Sequence, residues 1–181
     1  MALLTLTRAA LALLLAGAVC SPFAQISQSA PEHEVKAAFL FNFTEFVTWP
    51  PMPANGPFRV CVVADQPTTV AIDRAMQDET ILGRKTETII PASTEQARSC
   101  QVLFVGRDAA ARGETLSAAV RQHPVLTVGD AGDFLERGGI IQFVVEEGRI
   151  RFDVNLAHAS RAHLSINARM LRVARQVKAP Q

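Results

Sequence analysis

Few residues in this chain are suited to chemistry. Cys61 and Cys100 lie about 40 residues apart, able to join as a disulfide or to remain two buried free thiols at the ends of neighbouring strands. His33, His123, His158 and His163 are the histidines available as bases or metal ligands. His158 and His163 are five apart, and no Cys-x-x-Cys accompanies them, so their spacing points to no zinc site. Asp130 and Asp133 flank Gly132 in a faint echo of a calcium loop, but the other ligands of such a loop are missing and a loop with a helix cap is expected. Gly138-Gly139 precedes a strand rather than opening a helix, and reads as a tight turn. The sequence has no G-x-G-x-x-G, P-loop, H-E-x-x-H or G-x-S-x-G. Its strand-to-helix turns also lack the glycines that let backbone approach a phosphate. This inventory predicts no catalytic residue, no metal and no cofactor, and hence a protein that is not an enzyme.

Composition narrows the classes further. The chain has 181 residues, 49% hydrophobic and 19% charged, with a formal net charge of +1. That balance is unlike a DNA-coating protein and predicts no nucleic-acid partner. The apolar content is too high for a disordered chain, and three cysteines are too few for a disulfide-dense miniprotein. Arg8 is the only charge among the first 31 residues, and Ala9 to Val19 is an unbroken run of apolar and small residues. A membrane-spanning helix needs roughly 20 such residues, whereas a signal-peptide core needs fewer. Small residues and a helix breaker follow at Cys20-Ser21-Pro22-Phe23-Ala24. Val19 and Gly17 do not match a lipoprotein site at Cys20, so ordinary cleavage after Cys20 or Ala24 is expected. The organisation predicted is a signal peptide at 1–24, a flexible lead at 25–31 and a single domain at 32–178. After removal of the leader about 157 residues remain with balanced charge and two cysteines. In an oxidising compartment an even pair points to one disulfide. No second long apolar segment follows, so the mature protein is expected to be soluble.

Strands and helices alternate along the mature chain. From Glu32 to Trp49 the pattern is helical, with Val35, Phe39, Phe43 and Val47 recurring every four residues and Pro50, Pro51 and Pro53 ending it. Phe58–Ala64, Gln101–Val105 and Pro124–Val128 are apolar runs that read as strands buried on both faces. Helices are expected at Pro67–Asp78 and Ala109–Gln122, a weaker strand at Lys85–Ile90, and a helical turn near Asp133–Arg137. Ile140–Val145 and Arg149–Val154 flank Glu146-Glu147-Gly148, a hairpin pattern. The last segment reads as helix in two pieces, the second capped by Asn167, with Met170, Leu171, Ala174 and Val177 on one stripe and Arg169, Arg172 and Arg175 off it. Buried strands separated by helices predict an α/β fold: a three-layer sandwich with a mostly parallel sheet flanked by helices and a C-terminal β-hairpin. In Arg149–Val154, Ile150, Phe152 and Val154 point one way and Arg149, Arg151 and Asp153 the other, so one face of the hairpin is expected to lack a helical cover.

Several segments carry a family resemblance. Glu34-Val35-Lys36-Ala37-Ala38-Phe39-Leu40-Phe41-Asn42-Phe43, closing with Phe46-Val47-Thr48-Trp49-Pro50, resembles the N-terminal signature of the YfiR family. In order there follow Arg59-Val60-Cys61-Val62, Cys100-Gln101-Val102-Leu103-Phe104-Val105, Val125-Leu126-Thr127-Val128 and Gly138-Gly139-Ile140-Ile141. Arg149-Ile150-Arg151-Phe152-Asp153-Val154-Asn155-Leu156 and Met170-Leu171-Arg172-Val173-Ala174 complete the set. The resemblance covers about residues 32 to 177. It implies a periplasmic α/β protein that binds the periplasmic sensor region of an inner-membrane diguanylate cyclase of the YfiN type, and so restrains cyclic-di-GMP synthesis. It also implies sequestration by an outer-membrane lipoprotein, a homodimer, and a fold supported by a disulfide for which Cys61 and Cys100 match the family pair. Some family members carry a second pair near the hairpin; this sequence has Leu135 and Gln142 thereabouts.

A regulator of this kind needs a shaped patch with a polar rim rather than an activated nucleophile. The partner surface is expected on the hairpin and the following helix, at Phe143, Arg151, Asp153, Asn155 and Arg169. Asn155, at a strand-to-helix turn, can equally be a helix cap. The alternative is a periplasmic small-molecule binding module with its cleft at the carboxyl ends of the parallel strands.

Overall fold

The computed structural model describes residues 30–179 with the exception of Ala54. The expected signal peptide and the lead up to residue 29 lie outside the described residues. The elements run α1 (Glu32–Phe46), β1 (Val47–Thr48), β2 (Phe58–Val63), α2 (Gln66–Met76), β3 (Thr80–Ile81), β4 (Arg84–Ile89), α3 (Thr94–Arg98) and β5 (Val102–Val105). A 3-10 turn at Arg107–Ala109 leads into α4 (Ala110–Val120), then β6 (Leu126–Gly129), β7 (Ile141–Glu146), β8 (Arg149–Asn155), α5 (Leu156–Arg161), β9 (Ser165–Ile166), α6 (Ala168–Leu171) and β10 (Gln176–Lys178).

Eight strands form one sheet in the order β10-β8-β7-β6-β5-β2-β4-β3. Neighbours are parallel except at the β7–β8 hairpin and the β3–β4 edge. The α/β class, the mostly parallel sheet and the terminal hairpin are as the sequence predicts. The layering follows from strand alternation. On one face Val60, Val62, Val102, Phe104, Leu126 and Val128 join Leu40 and Phe43 of α1, Ile72 of α2, Ala159 of α5 and Met170 of α6. On the other, Cys61, Val63, Leu103 and Val105 pack with Ala97 of α3 and Leu116 and Val120 of α4. With both faces covered, the three central strands can afford no polar alternation, which is why they read as continuous apolar runs.

The α1 stripe does its expected work: Phe39 and Phe43 pack on Phe143 and Phe152, with Phe43 and Phe152 edge to face at 4.8 Å. The helix stops three residues short of Trp49, however. Val47 and Thr48 are β-branched and close to a proline that disfavours helix before it; they pair antiparallel with Ile166 and Ser165 instead. Trp49 turns into the core, donating its indole N–H to the Gln101 carbonyl at 3.2 Å. The hairpin closes through Glu147 and Gly148, both at positive φ (49° and 71°), the backbone a two-residue turn needs to match strand twist. The expected helical turn at Asp133–Arg137 is a run of hydrogen-bonded turns, with Arg137 N–H donating to Asp133 C=O.

The C-terminal reading needs correction. The second helical piece is only Ala168–Leu171, capped as expected by Asn167, whose side chain accepts from the Arg169 N–H. The stripe does not continue to Val177. Arg175 N–H donates to the Phe152 carbonyl, and residues 176–178 form an edge strand parallel to β8. Sheet pairing outcompetes a continued helix of about three turns, too short to be stable without packing beneath its far end.

Candidate functional site

Polar groups gather where the parallel strands end. Strand β2 crosses over through α2 to β4 on one side, while β5 and β6 lie on its other side. The chain order therefore reverses between β2 and β5, and their carboxyl ends part to leave a crevice of the kind in which open α/β sheets hold ligands. The walls come from three places: the β2–α2 loop brings Asp65 and Thr68, the β5–α4 loop brings Gly106, Arg107 and Asp108, and the first turns of α1 bring Glu32, His33 and Lys36. Asp130, just past β6, completes a cleft of about 400 Å³. A second cleft of about 480 Å³ opens on the other side of Arg107 and Asp130, lined by Gln142, Phe143, Val144, Val145 and Arg175.

Four of these residues form a closed quartet. The Lys36 side chain is 4% exposed, and its ammonium donates to both Glu32 and Asp130. Arg107 donates to the same two carboxylates, to Glu32 at 2.7 Å and to Asp130 at 3.4 Å. Two cations thus meet two anions, which is what allows a lysine to be buried at all. The hydrogen bond from Lys36, with its charge and that of Arg107, holds the Glu32 carboxyl below its ordinary range against a modest desolvation. Asp65 caps α2 by accepting from the Thr68 N–H at 2.9 Å. A hydrogen bond from the Thr68 side chain, and then that N–H, hold its carboxyl below the ordinary range as well. Asp130 was expected only as part of a loop; its role in tying that loop to α1, 94 residues away, has no local signal in the sequence. Asp133 pairs with Arg137 at 2.9 Å. No group of three or more potential ligands fit to hold a metal occurs among the described residues.

The five residues expected at a partner surface divide. Arg151, Asp153 and Asn155 share the outer face of β8, as strand alternation requires. Of these, Arg151 is exposed, whereas Asp153 is 3% exposed and bound to Arg175, Nε donating to Oδ1 at 2.9 Å and an Nη donating to Oδ2. Asn155 caps α5, accepting from the His158 N–H at 3.1 Å. Phe143 lies on the opposite face, buried beneath α1 and stacked on Phe43. Arg169 is exposed on α6. The tip half of the outer hairpin face carries Arg149 and Arg151 without a helix over it, as expected. Arg149, Arg151, Arg169 and Arg172 make no ion pair among the described residues. Arg175, read as lying off the apolar stripe of a C-terminal helix, instead anchors the last strand.

Cys61 and Cys100 are joined as a disulfide, with Cα atoms 6.0 Å apart. It ties the middle of β2 to the turn between α3 and β5, inside the second core. Leu135 and Gln142, noted in the sequence as standing near a second cysteine pair of some YfiR-family members, are themselves bonded here. The Gln142 side chain holds the turn that Leu135 belongs to.

Comparison with known proteins adds three findings. The family model described as YfiR/HmsC-like matches residues 33–175. A solved structure, the conserved domain protein from Vibrio cholerae O1 biovar El Tor strain N16961, is similar at a TM-score of 0.54 and 14% identity, over 81% of this chain and 60% of that one. At that identity the likeness is one of fold, and this chain spans about 60% of that protein's length. No curated protein matches the sequence.

Proposed function

The chain belongs to the YfiR/HmsC-like family, and on that premise we propose that it is a periplasmic regulator that binds the periplasmic sensor region of an inner-membrane diguanylate cyclase and restrains cyclic-di-GMP synthesis. The observation that carries the reading is the extent of the family match, which spans nearly every element from α1 to the last strand. No helix among the described residues is long and apolar enough to cross a membrane. On this reading the folded domain offers a surface to the cyclase's periplasmic region.

Exposed arginines at two places are offered to that partner: Arg149 and Arg151 on the outer face of the hairpin, and Arg169 and Arg172 on and beside α6, which packs on the opposite face of the sheet. None of the four is held in an ion pair among the described residues, so a partner's carboxylates need break no existing pair to engage them, and their charge steers its approach. Phe143, Asp153 and Asn155 support that surface from within the fold. An outer-membrane lipoprotein competing for the same protein, and association of two copies, complete the proposed circuit.

The direct test is binding of the purified mature protein to the isolated periplasmic region of a membrane GGDEF-domain cyclase encoded beside it. Saturable binding that weakens when Arg151 and Arg169 are both changed to Glu supports the reading. Absence of binding up to about 100 μM, well above the range of specific regulatory complexes, contradicts it.

A further inference from the structure

Strand β8 is paired along one edge and only at its end along the other. Every residue from Arg149 to Val154 has a partner in β7, whereas β10 covers only Asp153, Val154 and Asn155. The chain reaches this edge at Arg175, whose N–H donates to the Phe152 carbonyl. Just before that it lies in the turn behind α6, where the Val173 and Ala174 N–H groups donate to the Met170 carbonyl. Beside Arg149, Ile150 and Arg151 the outer edge of β8 has no backbone partner among the described residues. The register says which groups are open. Opposed residues of an antiparallel pair alternate between those that exchange hydrogen bonds and those that turn both groups away. The Phe152 carbonyl points to the outer edge, so its pair with Phe143 is of the second kind, and so is the pair of Ile150 with Val145. Ile150 therefore presents both its N–H and its carbonyl at an open sheet edge, a template for another strand.

The side chains along this edge describe the strand that fits it. On one face Val145 is 52% exposed beside half-buried Ile150. On the other Arg149 and Arg151 are exposed, and Glu146, opposite Arg149 in register, is turned to Arg175 at 3.7 Å. A segment that alternates acidic and apolar residues sets its carboxylates beside the arginines and its apolar side chains beside Ile150 and Val145. A second copy of this edge is a poor match. Paired antiparallel about Ile150, Arg149 of one copy stands opposite Arg151 of the other, and like charges directly opposite are destabilising. Taking the chain as a regulator of a membrane cyclase, we propose that the edge at Arg149–Phe152 receives an extended segment of the cyclase's periplasmic region, with Asp or Glu at alternate positions, as an added strand of the sheet. Main-chain bonds to Ile150 supply affinity, and the arginines select the acidic partner.

Amide hydrogen exchange tests this, followed residue by residue by NMR on the mature protein alone and with the isolated periplasmic region of the neighbouring membrane cyclase. The Ile150 N–H is expected to exchange readily in the free protein and to slow about tenfold or more in the complex. That of Arg151, bonded to β7 already, should change far less. Arg149→Glu/Arg151→Glu, both exposed positions, is expected to weaken binding about tenfold or more. Binding with unchanged exchange at Ile150 would overturn the added strand and leave the regulatory reading standing. Absence of binding up to about 100 μM would overturn both. Slowing at Ile150 that grows with protein concentration in the absence of the cyclase region would assign the edge to a second copy and overturn the proposal as well.

Discussion

The carboxamide of Gln142 grips the turn before its own strand, accepting from the Leu135 N–H at 3.0 Å and donating to the Gly132 carbonyl at 2.9 Å. Gln142 is 8% exposed and Leu135 is buried, so the Leu135 N–H depends on it, whereas Gly132 is exposed. Replacing it by alanine leaves that buried N–H without a partner, a loss of about 1–3 kcal/mol. Gln142→Ala is expected to lower the urea midpoint with an unchanged m-value. A stability loss under about 0.5 kcal/mol would show that water replaces the amide at this turn.

With an amide at that turn, redox sensitivity of the fold resides in Cys61–Cys100. The two cysteines are 39 residues apart, and the chain-entropy model assigns such a loop about 4 kcal/mol. Cys61→Ala/Cys100→Ala, or treatment with strong reductant, is expected to lower Tm substantially. Equal melting with and without reductant would contradict the bridge.

The pair Asp153–Arg175 fastens the edge strand to the sheet, since Arg175 also lies 3.7 Å from Glu146 across the hairpin. Removing the guanidinium strands a buried carboxylate. Arg175→Ala is expected to lower Tm by roughly 5 °C or more, and Asp153→Asn added to it to recover part of the loss. A double variant no better than Arg175→Ala alone would show that the strand is held by its backbone bonds instead.

Acid sensitivity follows from the quartet. Glu32 is held below its usual 4.5, chiefly by the hydrogen bond from Lys36. A depressed carboxyl binds fewer protons folded than unfolded, so its stabilisation is complete above the unfolded value and fades as pH falls through the folded one. Tm is therefore expected to be level from about pH 7 to pH 5 and to fall below that. In Glu32→Gln the fall should be shallower and the plateau lower. Parallel curves for the two proteins would remove Glu32 from the account.

Much of the fold was legible because the signals are local. The buried runs of β2, β5 and β6, the phenylalanine spacing of α1, the Glu147-Gly148 turn and the Asn167 cap each lie within a few residues. Helix α3 had a signal that went unread: Ser93 accepts from the Gln96 N–H while the Gln96 side chain reaches back to the Ala92 N–H, a capping-box spacing. Strands β1, β9 and β10 have two or three residues each, too few for a period to appear. The apolar spacing from Met170 to Val177 imitates a helix, and only pairing with β8 decides otherwise. The strand-end site was legible as a location, from the parallel order alone. Its residues were not, because Lys36 and Asp130 meet across 94 positions.

The central claim is restraint of a cyclase, and cellular cyclic-di-GMP reads it directly. In a strain expressing the cognate membrane cyclase, deletion of this gene is expected to raise cyclic-di-GMP severalfold, and re-expression of the exported protein to bring it back. Unchanged cyclic-di-GMP on deletion, with the cyclase present, would contradict the account.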